Sequence, residues 1–247
     1  MSAPDSVNLA DWPVAIVAGG MATRLRPVTE KIPKALVSVA GRPFLAHQLR
    51  LLRTAGIRKV VLCVGYLGKM IEMEFGDGSS FGVELSYSFD GPTLLGTGGA
   101  LKRALPLTGE KFLVLYGDSY LPIDYAAPVR AFAAGGKLAL MTVFKNGDRW
   151  DKSNVWFEGG EVKSYDKENR TLEMKHIDYG LGILRAGALA PWPDDRSFDL
   201  VEVYQDLIGR RELAGYEVSE RFYEAGSPEG IAELDEMLRR RELSITS

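Results

Sequence analysis

In the first half of the chain, short apolar runs alternate with segments in which apolar residues recur at helical spacing. Short apolar runs typical of buried strands stand at 14–18, 60–64, 83–89 and 112–116. Between the first two, apolar residues recur at helical spacing over 44–55 and stop at Gly56, a residue common at helix ends. Further helices are predicted at 101–105 and 125–134. Strands and helices in this order predict parallel βαβ units.

The second half changes to a mostly β pattern. Strands are predicted at 137–146, 154–157, 162–165 and 179–184, with a hairpin turn at Glu158-Gly159-Gly160-Glu161. Two helices, at 199–211 and 228–241, close the chain, and Ser227 is expected to cap the second one. No linker, repeat or low-complexity tract is recognised, so one domain is expected over 12–243.

Composition and charge narrow the functional classes. The chain has 247 residues, 46% hydrophobic and 26% charged, as in soluble globular proteins. A net charge of -3 gives no reason to expect nucleic acid as a partner. The single cysteine, Cys63, lies inside an apolar run and is expected in the core of a protein from a reducing compartment. Without a signal-like start or a long apolar run, we expect a cytoplasmic protein with no membrane contact.

A glycine turn that follows the first strand carries the strongest functional signal. Gly19 and Gly20 stand where the strand ends, so the backbone can approach a ligand closely. Cations follow at Arg24, Arg26, Lys31 and Lys34. Unpaired amides together with fixed positive charge attract phosphate. Neither the P-loop nor the dinucleotide fingerprint has this spacing.

The stretch Gly-Gly-Met-Ala-Thr-Arg-Leu-Arg-Pro-Val-Thr followed by Pro-Lys resembles the signature of the sugar-1-phosphate nucleotidylyltransferases. That signature is usually Gly-Gly-x-Gly-Thr-Arg-Leu-x-Pro-Leu-Thr and then Pro-Lys-Pro-Leu, from which this chain departs at Ala22 and Ala35. An ordinary basic loop is the alternative. The resemblance implies an α/β, Rossmann-like doubly wound mixed sheet of the GT-A-like kind. In it, a nucleotide-binding half (about 12–120) precedes a sugar-binding half (about 121–230).

A carboxylate follows the strand at 112–116, in Gly117-Asp118. Open α/β sheets bind ligands at the carboxyl ends of strands, and Mg²⁺ prefers oxygen ligands, although Gly-Asp alone is common in turns. The resemblance aligns Asp118 with the family's metal-binding aspartate. Glu224 replaces the aspartate of the family's Asp-x-Gly-Thr-Pro and is expected to bind Mg²⁺ directly or through water.

The resemblance also implies substrate contacts. The nucleotide is expected to contact Ala18, Gly19, Gly20, Thr23, Arg24, Asp90, Gly96 and Thr97. The sugar phosphate is expected to contact Gly117, Asp166, Lys167 and Asp178. The small residues of Leu95-Gly96-Thr97-Gly98-Gly99-Ala100 are expected to leave helix amides free for a base or sugar. Asp90 either faces the nucleobase or is solvated, and an exposed charged hairpin is the alternative for Asp166-Lys167.

The implied reaction needs no covalent nucleophile. An ionised oxygen of a sugar 1-phosphate attacks the α-phosphorus of a nucleoside triphosphate, and pyrophosphate leaves. Arg24, Lys34 and Asp118 are the catalytic residues in this reading. Arg24 is expected to bind the leaving phosphates, Lys34 is expected to bind the α-phosphate, and Lys167 is expected to bind the sugar phosphate. His47 is expected to be structural, and the resemblance makes a homo-oligomer plausible.

Two short branches of the family are most similar. One transfers GMP to mannose 1-phosphate or D-glycero-D-manno-heptose 1-phosphate, and the other transfers UMP to N-acetylmuramate 1-phosphate. Leu-Gly-Thr-Gly-Gly and the acidic residue at 90 favour the first. A glycosyltransferase would present Asp-x-Asp where this chain has Gly-Asp-Ser. A non-catalytic nucleotide-sugar sensor stays open because of the substitutions at Ala22, Asp166 and Glu224, but a sensor has no use for a triphosphate clamp.

Overall fold

Strands and helices alternate along the chain in the computed structural model, which describes residues 7–20, 25, 27–194 and 196–245. The strands are β1 (Val14–Val17), β2 (Ser38–Val39), β3 (Arg42–Pro43), β4 (Lys59–Val64), β5 (Glu84–Phe89), β6 (Lys111–Tyr116), β7 (Ser119–Tyr120), β8 (Ala139–Lys145), β9 (Val155–Glu158), β10 (Glu161–Tyr165), β11 (His176–Arg185), β12 (Leu213–Val218) and β13 (Tyr223–Glu224). The helices are α1 (Phe44–Ala55), α2 (Gly68–Phe75), α3 (Gly96–Thr108), α4 (Ala126–Gly135), α5 (Leu200–Gly209) and α6 (Pro228–Ile245).

One mixed sheet runs through both halves of the chain. Its first part is parallel, in the order β5-β4-β1-β6. β11 then pairs antiparallel with both β6 and β8, and β12 pairs parallel with β8. The hairpin β9–β10 lies at the start of β11. The doubly wound mixed sheet expected from the sequence is confirmed.

Helices cover the sheet on two faces, and the alternation of side chains along β1 shows why. Val14 and Ile16 belong to one hydrophobic cluster, with Leu45 and Leu49 of α1. Ala15 belongs to the opposite cluster, with Leu101 of α3. Because successive strand residues point to opposite faces, an apolar run without polar interruption is what a strand buried on both sides needs.

The roles predicted for the turn and cap residues are confirmed. Gly56 ends α1 with a φ of 101°, and Gly159 and Gly160 turn the β9–β10 hairpin with φ of 61° and 81°. The Ser227 hydroxyl accepts from the Gly230 amide in the first turn of α6. Each position uses a residue suited to a left-handed backbone or to a free helix amide.

Several elements were not predicted. Helix α3 begins at Gly96 rather than at 101, and α2, β12 and the short strands β7 and β13 were missed. In β12, Gly215 interrupts the alternation of apolar and polar side chains by which a strand is recognised. A Cβ there would lie 2.5 Å from the ring of Phe157, so the close approach of the two strands requires glycine.

Two further expectations from the sequence concern the single cysteine and membrane-spanning segments. Cys63 is fully buried, and burial raises the pKa of its thiol to about 12, which suits a core residue. No helix within the described residues is long and apolar enough to cross a membrane.

Candidate active site

The loops after β1 and β6 meet at the carboxyl edge of the parallel strands. The Gly117 amide donates to the Val17 carbonyl at 2.9 Å. A Cβ on Gly117 would lie 2.7 Å from the same carbonyl oxygen, so the close approach requires glycine. The predicted glycine turn and the predicted carboxylate are therefore neighbours.

Lys34 and Asp118 form an ion pair at this meeting point. The Lys34 ammonium lies 2.9 Å from Asp118 Oδ2, and the two side chains are 21% and 34% exposed. A cavity of about 190 Å³ adjoins the pair. It is lined by Val17, Ala18, Gly20, Lys34, Ala35, Thr97, Tyr116, Gly117 and Asp118. Six residues that were expected to bind nucleotide, sugar phosphate or metal thus border one space.

Glu224 approaches Asp118 through a short strand pairing. β13 pairs with β7, which sets Glu224 opposite Ser119, and the Ala225 amide donates to the Asp118 carbonyl at 2.8 Å. A Cβ built on Gly226 would lie 3.6 Å from Asp118 Oδ2 and 3.7 Å from Glu224 Oε2. The two carboxylates therefore converge on one region of space that glycine leaves open.

This pair of carboxylates fits Mg²⁺. Magnesium in phosphate-transfer sites is held by one or two carboxylates together with substrate phosphates and water. The described residues contain no group of three or more His, Cys, Asp or Glu that could hold a metal by themselves. The donor set suits an ion whose coordination is completed by phosphate oxygens.

Asp178 is the centre of a polar cluster that includes the last residues of β6 and β10. Its Oδ2 accepts from the hydroxyls of Tyr116 and Tyr165 at 3.2 and 3.0 Å, and its Oδ1 accepts from the Gly180 amide at 3.0 Å. Burial, and then the charge of Asp178, raise the pKa of both tyrosines well above the ordinary value, so the hydroxyls stay neutral donors. Lys167 places its ammonium 5.6 and 5.8 Å from the two ring centroids.

We call Tyr116, Tyr165 and Asp178 the tyrosine platform. Asp178 and Lys167 are predicted from the sequence, whereas the two tyrosines that join them are not. Their only signal was an aromatic residue at the end of each of two strands, β6 and β10, and that signal is also common in ordinary cores.

Asp166 is engaged within its own turn. Its Oδ1 accepts from the amides of Glu168 and Asn169, both at 2.8 Å, and these bonds lower the pKa of the carboxyl group. These local contacts are compatible with the alternative for Asp166-Lys167, an exposed charged hairpin, although Asp166 itself is half-buried. Sugar binding by Asp166 stays a prediction.

The start of α3 differs from the expectation. The amides of Gly98 and Gly99 donate to the Phe198 carbonyl at 3.0 and 3.2 Å, and the Thr97 amide donates to the Asp199 carboxylate at 3.3 Å. The expectation that this segment frees its amides for a base or sugar is wrong for these three. A Cβ on Gly96 would lie 2.5 Å from the Phe198 carbonyl oxygen, so the small residues serve close packing before α5.

Asp90 is buried behind the glycine turn. It is 5% exposed, and its Oδ2 accepts from the Leu95 amide at 3.2 Å. A Cβ on Gly19 would lie 3.4 Å from that same oxygen. Burial raises the pKa of this carboxyl group. The solvated-loop alternative is therefore wrong, and contact with a nucleobase stays a prediction.

Two expected nucleotide contacts, Thr23 and Arg24, lie outside the described residues, as does Arg26. His47 is buried in α1, where Nε2 lies 2.7 Å from the Val39 carbonyl, consistent with a structural role. The site is thus assembled from the loops after β1 and β6, the turn after β10, the start of β11, and β13.

Fold and site together define an α/β protein with a mixed sheet, in which one lysine and two carboxylates meet at the carboxyl edge of the parallel strands. The sequence profile of the family described as nucleotidyl transferase matches residues 14–154, more than half of the chain, and the chain belongs to this family.

Individual relatives and structures agree with the family. Over 113 residues (45% of this chain and 49% of the relative), it is 42% identical to N-acetylmuramate alpha-1-phosphate uridylyltransferase of Neisseria meningitidis. Over 218 residues (86% and 59%), it is 30% identical to mannose-1-phosphate guanylyltransferase catalytic subunit beta of Drosophila melanogaster. HddC from Yersinia pseudotuberculosis, solved with GMP-PN, shares the fold with a TM-score of 0.76 at 24% identity, covering 92% of this chain and 99% of that one. The matches span about half of these two relatives' own lengths.

Proposed function

We propose that the protein is a sugar-1-phosphate nucleotidylyltransferase, which transfers a nucleoside monophosphate from a nucleoside triphosphate to a sugar 1-phosphate. The observation that carries this proposal is the Lys34–Asp118 pair at the strand edge, with Glu224 converging on Asp118. This arrangement offers positive charge for phosphates and two carboxylates for a metal within one region. A cytoplasmic location, expected from the sequence pattern, and a homo-oligomeric state, implied by the resemblance, both remain predictions.

The charged residues of the site can each be given a role in an in-line displacement. An ionised oxygen of the sugar phosphate attacks the α-phosphorus, the bond from that phosphorus to the β-phosphate oxygen breaks, and pyrophosphate leaves with the electron pair. Because the nucleophile is already ionised, the protein needs no general base. Lys34 neutralises the α-phosphate, and Lys167 above the tyrosine platform receives the sugar phosphate. Arg24 is assigned to the leaving phosphates. Asp118 and Glu224 would hold Mg²⁺, which when bound would supply further neutralisation of phosphate charge.

For the substrates we propose GTP and mannose 1-phosphate or D-glycero-D-manno-heptose 1-phosphate. The Drosophila relative, named for mannose 1-phosphate and guanylyl transfer, matches across most of this chain. Asp90 also supports guanine, because a carboxylate can accept from the two neighbouring donors on the guanine base-pairing edge. UTP with N-acetylmuramate 1-phosphate is the second candidate, favoured by the higher identity of the Neisseria relative over the 113 residues that match it.

Pyrophosphate release tests the proposal directly. The purified chain is assayed with Mg²⁺ across GTP, UTP, CTP, dTTP and ATP, each with mannose, manno-heptose, glucose and N-acetylmuramate 1-phosphates. Asp118→Asn should reduce turnover of the active pair by about 10²-fold or more. Asp124→Asn is the matched control, because Asp124 is an exposed aspartate that pairs with Arg130.

The outcomes separate the candidates. Turnover with one pair identifies both substrates. Unchanged pyrophosphate release in Asp118→Asn contradicts the proposed role of Asp118. No turnover with any pair, together with retained binding of a nucleotide sugar, would favour the sensor.

A further inference from the structure

Gln48, a residue of α1 with no assigned role so far, contacts the Asp118 turn from behind. The residue is 2% exposed. The side-chain amide Nε2 donates to the carbonyl oxygens of Tyr116 at 3.1 Å and Ser119 at 2.8 Å. Two carbonyl acceptors fix which end of the amide is the nitrogen, since only the NH₂ end can donate to both.

These two carbonyls stand on either side of Gly117 and Asp118. One amide group therefore joins the end of β6 to the start of β7 and closes the turn between them. The turn is also held through its backbone, by the Gly117 amide to Val17 and by the Ala225 amide to the Asp118 carbonyl. The backbone bonds tie the turn to the end of β1 and to the residue that follows β13, and Gln48 ties it to α1.

The same helix also supports the segment that carries Lys34. The Phe44 amide, at the first residue of α1, donates to the Val37 carbonyl at 2.9 Å, just after the short 3₁₀ turn Lys34–Leu36. α1 therefore braces both partners of the Lys34–Asp118 pair. Gln48 does so with a neutral donor, which adds no charge that would compete with Lys34 or repel a cation from Asp118.

We propose that Gln48 is a positioning residue that fixes the Asp118 carboxylate for the metal and for Lys34. The inference rests on the proposed function. Partners that orient a metal ligand through hydrogen bonds control metal affinity even though they never touch the metal. Loss of the Gln48 amide releases the carbonyls on both sides of Asp118, so the carboxylate samples positions unsuited to the ion.

The test uses Gln48→Met, which keeps length and volume but removes the donor. Its matched control is His47→Leu, which removes the neighbouring buried contact to the Val39 carbonyl, away from the Asp118 turn. Both variants are expected to lower the midpoint of thermal unfolding. Only Gln48→Met should raise the half-saturating Mg²⁺ concentration for pyrophosphate release, by about tenfold or more. Mn²⁺ binding to the protein alone, followed by the electron paramagnetic resonance signal of free Mn²⁺, should weaken by a similar factor.

The readouts distinguish this inference from the proposed function. If the wild-type protein turns over and both variants share its metal dependence, the inference fails and the function stands. If the wild-type protein is inactive with every substrate pair but binds Mn²⁺, the function fails, and the Mn²⁺ comparison still decides the role of Gln48. If it neither turns over nor binds Mn²⁺, both fail. Should Gln48→Met not fold, Gln48→Asn, whose shorter amide cannot span both carbonyls, replaces it with the same expectation.

Discussion

Asp90 holds a carboxylate where negative charge is unfavourable, so its ionisation should oppose folding. Burial raises its pKa above the ordinary value of 3.8. The folded protein then holds the proton more tightly than the unfolded chain does. The stability that this proton contributes is complete below about pH 3.8 and is lost as pH rises through the folded pKa.

Asp90→Asn removes this ionisation and keeps an oxygen for the Leu95 amide. The free energy of unfolding of the variant, relative to wild type, should therefore increase as pH rises from about 3.8 toward neutrality. Urea unfolding followed by circular dichroism at several pH values measures the difference. A difference that stays constant with pH would show that Asp90 titrates alike in the folded and unfolded states.

Asp90→Asn also tests the proposed recognition of guanine by Asp90. Asn presents only one acceptor where the carboxylate presents two, so the guanine edge loses a partner. We expect kcat/KM with GTP to fall by an amount equivalent to about 1–3 kcal/mol, with little change for UTP. Steady-state pyrophosphate release with each nucleotide measures this, and an equal loss with both nucleotides would assign Asp90 a purely structural role.

At the scale of elements, the packing of α3 against the segment before α5 depends on glycines, which have no side chain. A Cβ on Gly98 would lie 2.5 Å from the Phe198 ring and 3.1 Å from the Asp199 carbonyl carbon. Gly98→Ala should lower the free energy of unfolding by about 1–3 kcal/mol through overpacking. Gly135 in α4 is the matched control, because a Cβ there meets nothing within 4 Å.

Gly135→Ala should be neutral or should raise the free energy of unfolding, by up to about 1 kcal/mol. Urea unfolding measures both variants. Equal effects of the two substitutions would show that α3 and α5 can separate without loss.

Prediction from the sequence succeeded where local pattern and local chemistry coincide. β1 and β6 are apolar runs that glycine follows within one or two residues, so the strands, the loops and Asp118 could all be placed from neighbouring residues. Partners distant in the chain could not be placed. The amides of Gly98 and Gly99 are satisfied by Phe198, and the Tyr116 and Tyr165 hydroxyls by Asp178, through contacts that no local spacing encodes.

At the scale of the whole molecule, β11 joins the two halves by pairing with β6 on one side and β8 on the other. One hydrogen-bonded sheet thus crosses the expected boundary near residue 120. We propose that 12–243 unfolds as one cooperative unit.

A variant with Trp150, Trp156 and Trp192 changed to Phe keeps Trp12 as a fluorescence probe of the first half. In urea, its fluorescence midpoint should coincide with the midpoint from far-ultraviolet circular dichroism, as for a two-state transition. Separate midpoints would show that the halves are independent folding units.

The charges of Lys34 and Asp118 neutralise each other in this structure, because Lys34 Nζ lies 2.9 Å from Asp118 Oδ2. In the proposed reaction, Asp118 would turn its charge to a magnesium ion, and Lys34 would then lose its partner and become available to a phosphate. The exchange of partners links two ligands that bind different residues. Metal and triphosphate should therefore favour one another's binding, each by the same factor, so the pair acts as a thermodynamic coupling between them.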